Sequence, residues 1–364
     1  MAADNEARPA KLLSLSAAGE IRHSAREDLP TLIRSGDLVV ANDAATLPAS
    51  LSGRHAATGE PVELRLAGWI TPGDPTRFVA VAFAAGDWHT RTEDRLPSPR
   101  LNPGDMLALG PLLATVERVL GHPRLVALRL AGKPGAIWAG IAAHGRPIQY
   151  SHAAEPYALW DVWTKVAAHP IAFEPPSAGF ALDWRMLAAF RERGIGFATL
   201  THAAGISSTG DPSLDARLPL DEPFHIPEKS AARIARAKIR GGRVIAIGTT
   251  VVRALEAAAE GMCSVRAGNG VATGRIGPRS RLKIVDAIVS GVHAPGESHF
   301  ELLAAFTNED SLSALANAGI THGYRNHEFG DSVLIERMPT RASTRTSFCH
   351  PLGGDRAAEL AMAL

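Results

Sequence analysis

The sequence predicts an α/β fold: a discontinuous α/β domain with a small β-rich unit inserted near its start. Three observations carry this. After about Tyr150 the apolar pattern alternates between short strands and helices, which argues for an α/β layer on a mostly parallel sheet. From about Gly53 to Gln149 it breaks into short apolar stretches between Gly, Pro and Asp turns, the spacing of a small barrel or sandwich. The chain of 364 residues also exceeds one average domain, at roughly 100–200 residues per domain. The expected division is 1–55 with 150–337 for the α/β domain, 56–149 for the insertion, and a loose tail over 338–364.

Each element follows from local chemistry. Residues 1–27 are small and polar around an apolar patch at Leu12, Leu13 and Leu15. Residues 28–36 read as a short helix closed by Gly36, and 37–43 as a strand ending in a polar turn. In the insertion, strands are expected at 62–66, 78–83, 106–109, 112–119 and 125–130. Asp183 caps a helix running to Arg193, which Gly194 ends. A strand over 196–201 follows, then a helix over 227–240 with Pro227 at its first turn and Gly241-Gly242 at its exit. Residues 244–248 are a buried strand and 249–260 the next helix. A strand over 282–288, a helix over 297–307 and a last strand over 332–335 complete the set.

Composition excludes several classes. Apolar residues are 46% and charged residues 21%, an ordinary globular mixture and not a disordered chain, a collagen or a coiled coil. Lys plus Arg is 38 against 37 for Asp plus Glu, so any nucleic-acid contact must be local. Cys263 and Cys349 are far apart and sit in no metal-spaced cluster; two thiols fit a reducing compartment. The start, Met1-Ala-Ala-Asp-Asn-Glu-Ala-Arg, has no apolar core like a signal peptide's. No apolar run approaches the ~20 residues a membrane span needs. The expectation is a cytoplasmic protein with no membrane partner.

The sharpest local feature is Val244-Ile-Ala-Ile-Gly-Thr-Thr-Val-Val-Arg-Ala-Leu-Glu256. A buried strand ends at Gly248 and a helix opens on Thr249 and Thr250, where unpaired N–H groups suit a carboxylate or phosphate. Arg253, one turn in, reaches toward the same anion. A helix with an Arg253–Glu256 surface pair explains the same residues. In Pro175-Pro-Ser-Ala-Gly-Phe180, small residues at Ser177 and Gly179 would let a flat ligand approach the backbone; a plain proline-led loop is the alternative. His293, in His293-Ala-Pro-Gly-Glu-Ser298, follows a strand, a common place for catalytic groups on α/β folds, and also a place for structural histidines. Tyr324-Arg-Asn-His-Glu-Phe-Gly-Asp331 pairs an aromatic with a cation that could stack a base, or forms an ordinary Gly-Asp turn. Lys229, Arg233, Arg236 and Arg240 line one helix face, and Arg275, Arg279, Arg281 and Lys283 form a second basic cluster; a solvated face accounts for such stripes. No Walker loop, GxSxG, HExxH or CxxC occurs, and nothing supports a metal site.

Taken together, the segments resemble one family, the S-adenosylmethionine:tRNA ribosyltransferase-isomerases of queuosine biosynthesis. The similar pieces occur in the family's order: Gly36-Asp-Leu-Val-Val-Ala-Asn-Asp43, Leu47-Pro-Ala49, Pro176-Ser-Ala-Gly179, Arg243 through Glu256, His293-Ala-Pro295, and Tyr324-Arg325 with Phe329-Gly-Asp331. They span about Leu29 to Ile335. The resemblance implies an α/β domain with an inserted β-barrel. It also implies transfer of the ribosyl unit of S-adenosylmethionine to the aminomethyl group of a 7-deazaguanine in tRNA. Rearrangement there gives epoxyqueuosine, with adenine and methionine leaving. S-adenosylmethionine is then a cosubstrate and no prosthetic group is expected.

Such chemistry needs a base for a proton beside the sulfonium, a pocket for adenine and an anchor for the methionine carboxylate. On this sequence the catalytic candidates are His293, Glu222 and Asp331. The substrate-binding candidates are Thr249, Thr250, Arg253, Ser177, Gly179, Tyr324 and Arg325. The chain also departs from the family's pattern. Asp43-Ala-Ala-Thr-Leu-Pro-Ala-Ser50 lacks two arginines, Ala181 replaces a histidine, the imidazole near Leu200 moves one place to His202, Leu220 replaces a histidine, and Glu297 replaces a lysine. Two other readings therefore stand beside the first: a paralogue using S-adenosylmethionine on a smaller acceptor, and a non-catalytic RNA- or nucleotide-binding protein.

Overall fold

Strand β3 (Leu38–Asn42) is buried at every position and lies inside the main sheet, which is what a continuous apolar run between two layers requires. The structure is a computed structural model that describes residues 9–151, 155–293, 297–326 and 329–339. Along the chain, β1 (Lys11–Leu15) and β2 (Ile21–Ala25) precede α1 (Leu29–Leu32), β3 and the short β4 (Ala44–Thr46). Six strands then close into a barrel: β5 (Ser50–His55), β6 (Pro61–Trp69), β7 (Arg77–Phe83), β8 (Met106–Leu109), β9 (Leu112–His122) and β10 (Leu125–Leu130). Helix α2 (Pro134–His144) leaves the barrel, and β11 (His169–Ala172) pairs with β4. The rest is α3 (Trp184–Glu192), β12 (Gly196–His202), α4 (Pro212–Asp215), β13 (Glu222–Ile226), α5 (Glu228–Ile239), β14 (Val244–Ile247) and α6 (Thr249–Ala257). A small hairpin, β15 (Ala259–Glu260) and β16 (Ser264–Val265), leads to β17 (Gly268–Ala272), β18 (Ala287–Gly291), α7 (Ser298–Leu303), α8 (Glu309–Thr321) and β19 (Ser332–Glu336).

The main sheet has nine strands in the order β17-β13-β12-β3-β14-β18-β19-β1-β2. Its heart, β12-β3-β14-β18, is parallel. The expected mostly parallel sheet is instead mixed: β13 and β17 extend it antiparallel on one side, and β19 runs antiparallel to β18 on the other. Side-chain alternation splits the core into two layers. Val39, Ala41, Ile245 and Ile247 face Leu29, Met186 and Phe190. Leu38, Val40, Val244 and Ala246 face Ile234, Val251 and Leu255. The barrel has its own core of Leu51, Leu64, Phe78, Leu107, Val116 and Leu128, against which Ile137 and Ile141 of α2 pack. Its first strand, Ser50–His55, starts ahead of the expected boundary at 55/56, because two serines and a glycine disguise it as a linker.

Other differences have local causes. The polar N-terminal stretch hides two strands, since Leu12, Leu13 and Leu15 are buried when β1 pairs parallel with β19. The helix expected over 28–36 spans only Leu29–Leu32. The strand expected over 282–288 begins at Ala287, because the N–H groups of Lys283, Ile284 and Val285 donate to the Glu256 carboxylate and are lost to a ladder. Helices α2 and α8 were not expected. Lys238, which interrupts the apolar face of α5, donates its ammonium to Asp286 and to the Ile284 carbonyl. Cys263 is disulfide-bonded, against the expectation of two thiols, and Cys349 lies outside the described residues. Of the expected tail, the Met338 N–H donates to the Phe306 carbonyl, and 340–364 lie outside the described residues.

Buried carboxylates tie the parallel strands at their starts. Asp37 accepts from the N–H groups of Arg34 and Arg243 at 3.0 and 2.8 Å, and from the Arg243 guanidinium at 2.9 and 2.7 Å. Substituting Asp37→Ala leaves these donors without their acceptor. The expected loss is about 3 kcal/mol of unfolding free energy, read as a lower urea midpoint with an unchanged m-value, with Asp37→Asn losing less.

Candidate active site

Strands β12, β14 and β18 run parallel to their shared sheet axis, so their C-terminal ends lie on one side. Open α/β sheets bind ligands outside those ends. The loops that follow wall a cavity of about 650 Å³, closed on its far side by Tyr150, Glu174 and the 204–219 stretch. That stretch also meets the barrel, where the Arg124 guanidinium donates to the Thr209 carbonyl. Of the expected site residues, Ser177, Glu222, Thr249, Thr250, Arg253 and His293 line this cavity, whereas Gly179, Tyr324, Arg325 and Asp331 do not.

Gly248 turns β14 into α6 at φ +94, in the left-handed region that favours glycine, and no side chain caps the helix. Its N-terminus therefore opens on the cavity with the Thr249 and Thr250 residues beside it. Asn42 donates to the Thr250 hydroxyl at 3.3 Å and to the His202 carbonyl at 2.9 Å, fixing the end of β3 to both neighbours.

Arg253 is buried and paired with Glu222 of β13, and its guanidinium also donates to the carbonyls of Leu220, Ala272 and Gly274. The alternative Arg253–Glu256 surface pair does not form. Glu222 accepts the Gly205 N–H at 2.6 Å. Burial pushes the Glu222 carboxyl above its usual range, against the pull of the Arg253 charge. His202 is fully buried beside this pair. Its Nε2 lies 3.4 Å from Glu222 without hydrogen-bond alignment, and Nδ1 has no partner among the described residues. Burial first, then the Arg253 charge, lower its pKa from 6.5 to about 3.

On the opposite wall, His293 Nε2 lies 3.1 Å from Ser290 Oγ and Nδ1 lies 3.2 Å from Glu297 Oε2. The His299 ring stacks on it at 4.8 Å and 14°. His299 is also held down to about 3, by burial and then by His293. Tyr150 donates to Glu174, and burial with that carboxylate pushes its phenol well up.

The residues outside the cavity have structural work. A Cβ on Gly179 would meet Thr164 Cγ2 at 2.8 Å, so this glycine admits the Thr164 side chain and not a flat ligand. The Asp331 carboxylate accepts the N–H of Lys11 at 2.8 Å and of Arg325 at 2.9 Å, pinning β1 to the turn before β19. The Tyr324 hydroxyl meets His23 Nδ1 at 3.0 Å, and its ring lies under Lys11. Arg275, from the second basic cluster, is on the cavity wall but donates to the Leu218 and Asp215 carbonyls. Ser290, His299, Tyr150 and Glu174 were not expected; Ser290 and His299 lie close to His293 in sequence, a signal that could have marked them, whereas Tyr150 and Glu174 meet across 24 residues of chain. Among the described residues no group of three or more His, Cys, Asp or Glu could hold a metal, and no helix is long and apolar enough to cross a membrane.

The polar cavity at the strand ends, walled by histidines, carboxylates and an open helix terminus, is the candidate active site. The family model of the queuosine biosynthesis proteins matches residues 2–335, and the chain belongs to that family of transferase-isomerases. It is 31% identical over 342 residues to the S-adenosylmethionine:tRNA ribosyltransferase-isomerase of Synechococcus elongatus, covering 90% of this chain and 89% of that one. It is 32% identical to the protein of the same name from Thermus thermophilus, over 90% and 92% of the two chains. The crystal structure of S-adenosylmethionine tRNA ribosyltransferase from Thermotoga maritima is similar at 21% identity and a TM-score of 0.46, over 90% of this chain and 92% of that one.

The buried neutral His202 sets a pH dependence. Its folded pKa, about 3, lies below the ordinary 6.5, so the unfolded chain binds a proton that the native one refuses. The stability is complete above pH 6.5 and falls as pH drops from there toward 3. The contribution is at most about 1.4 kcal/mol per pH unit. Urea unfolding between pH 7 and 5 should show a slope that His202→Asn flattens by about one proton; an unchanged slope would refute the assignment.

Proposed function

We propose that this cavity binds S-adenosylmethionine and carries out the reaction its relatives are named for, ribosyl transfer and isomerisation on tRNA. The acceptor is the aminomethyl group of a 7-deazaguanine, the product epoxyqueuosine, and adenine and methionine leave. The observation that carries the reading is the convergence of an uncapped helix N-terminus and a paired histidine on one cavity of about 650 Å³. That volume falls in the roughly 300–1,000 Å³ range of small-molecule sites.

The roles follow from charge and geometry. The N-terminus of α6, with Thr249 and Thr250, anchors the methionine carboxylate through N–H and O–H donors. Arg253 is neutralised by Glu222, so the pair forms the floor behind that anchor and is not itself the anion clamp. Ser177 and Ala178 supply a small-residue wall against which adenine lies. The sulfonium acidifies the C–H beside it on the ribosyl side, and His293 takes that proton. Asp331, held on backbone N–H groups away from the cavity, serves the scaffold. The substrates place the protein in the cytoplasm with tRNA.

Purified protein with S-adenosylmethionine and 7-aminomethyl-7-deazaguanine tRNA should release adenine and gain an epoxyqueuosine nucleoside mass. Adenine release that requires only a small acceptor would replace tRNA as the substrate, and no release from a folded, saturated protein would end the assignment. Thr250→Val removes one hydroxyl at the anchor. It should raise KM for S-adenosylmethionine about tenfold, the effect of one hydrogen bond to a charged group, and lower stability by about 1 kcal/mol, since the hydroxyl also accepts from buried Asn42.

A further inference from the structure

We propose that Glu297 is the positioning residue of a Glu297–His293–Ser290 proton relay on the cavity wall, which makes His293 Nε2 the atom that takes the proton. The inference rests on the ribosyl-transfer reading for its reaction but not for its geometry. All three side chains line the cavity. Ser290, on the last turn of β18, is buried, and its Oγ is 3.1 Å from Nε2. Glu297 stands at the N-cap of α7, yet its carboxylate makes no capping bond and reaches back to Nδ1 at 3.2 Å. The parallel His299 ring, 4.8 Å away, holds the imidazole plane.

The donor logic fixes the tautomer. An ionised carboxylate only accepts, so Nδ1 carries the hydrogen, and Nε2 is left with a lone pair that the Ser290 hydroxyl meets as a donor. Neutral His293 is thereby a base at Nε2. The proton beside the sulfonium passes to Nε2 through Ser290 Oγ, which gives its own hydrogen to the ring and takes the substrate's. The ring becomes an imidazolium with both nitrogens protonated, and Glu297 remains a carboxylate that stabilises it. Departing adenine needs one proton to leave neutral, and the imidazolium returns it, so the relay ends as it began. Among the described residues, His299 of α7 stacks on the ring, Arg253 of α6 acts on His299 and is itself paired with Glu222 of β13, and Glu301 of α7 is taken by Arg275. Glu297 is the anion facing Nδ1.

The test is Glu297→Gln, with Glu297→Asp and Ser290→Ala beside it, read in two ways on the full chain. Imidazole 15N NMR of the ligand-free protein, with His293 assigned through His293→Gln, should show hydrogen on Nδ1 in the wild type. In Glu297→Gln that preference should be lost, since the carboxylate that can only accept at Nδ1 is gone. In the tRNA assay, Glu297→Gln should lower kcat about 10- to 100-fold and leave KM for S-adenosylmethionine within about twofold; Glu297→Asp should recover part of the lost kcat. Hydrogen on Nε2 in the wild type, or an unchanged Nδ1 preference in Glu297→Gln, would overturn the relay. A wild type that shows the Nδ1–H tautomer but releases no adenine would overturn the ribosyl-transfer reading and leave the relay standing.

Discussion

The buried ion pair between Arg253 and Glu222 is the constraint on which the site depends. Two charges out of water are tolerated only where geometry and further hydrogen bonds satisfy what remains of each. Here the guanidinium finds three carbonyls, from Leu220, Ala272 and Gly274, and the carboxylate finds the Gly205 N–H. Helix α6, strand β13, the end of β17 and the loop after β12 are therefore committed to one arrangement. The antiparallel extension of the sheet is thus joined to its parallel heart at the cavity floor. Because the pair is neutral as a unit, the positive potential beside it is that of the α6 N-terminus and not of Arg253. It also explains the state of His202: a guanidinium already satisfied leaves no reason for a second cation beside it, and burial keeps the imidazole uncharged.

The parallel heart of the fold was legible because its strands are buried on both faces. Val244–Ile247 and Leu38–Asn42 read as apolar runs without needing a partner to be known. Strand β1 was not, since its burial exists only once Ser332–Glu336, more than 300 residues away, lies beside it. Helix α8 carries Ser, Asn, Gly and Thr among its apolar residues, so its periodicity is weak in sequence. The barrel was legible as a texture but not in its first strand.

The same distinction separates the site residues. Thr249, Thr250, Arg253 and His293 line the cavity because they follow strands that end on one side of the sheet, where open α/β sheets place their ligands. Tyr324, Arg325 and Asp331 were selected for the density of polar groups around them. Density in sequence has a different physical consequence, which is that neighbours satisfy one another: Asp331 accepts the Arg325 N–H and closes its own turn. His202 offered no such signal, being a lone imidazole whose neighbours Glu222 and Arg253 come from distant elements, whereas His299 takes its stacking partner, His293, from its own segment.

The departures from the family's pattern take their meaning from where they fall. Ala45 and Ala181, at positions of a missing arginine and a missing histidine, are both buried. Ser50, at the other missing arginine, donates to Glu63 at 2.8 Å, and that carboxylate also holds Arg65 and Arg95. A third cation there would face a carboxylate whose two oxygens are already neutralised. These changes are thus matched by their surroundings within the core and the barrel, and they leave the cavity wall of Ser177, Thr249, Thr250 and His293 in place. Glu297 is different in kind. It puts a carboxylate on the cavity wall where the family's pattern has a lysine, and that carboxylate lies 3.2 Å from His293 Nδ1. The physical weight of the divergence therefore falls on the surroundings of His293, and much less on the scaffold or the N-terminus of α6.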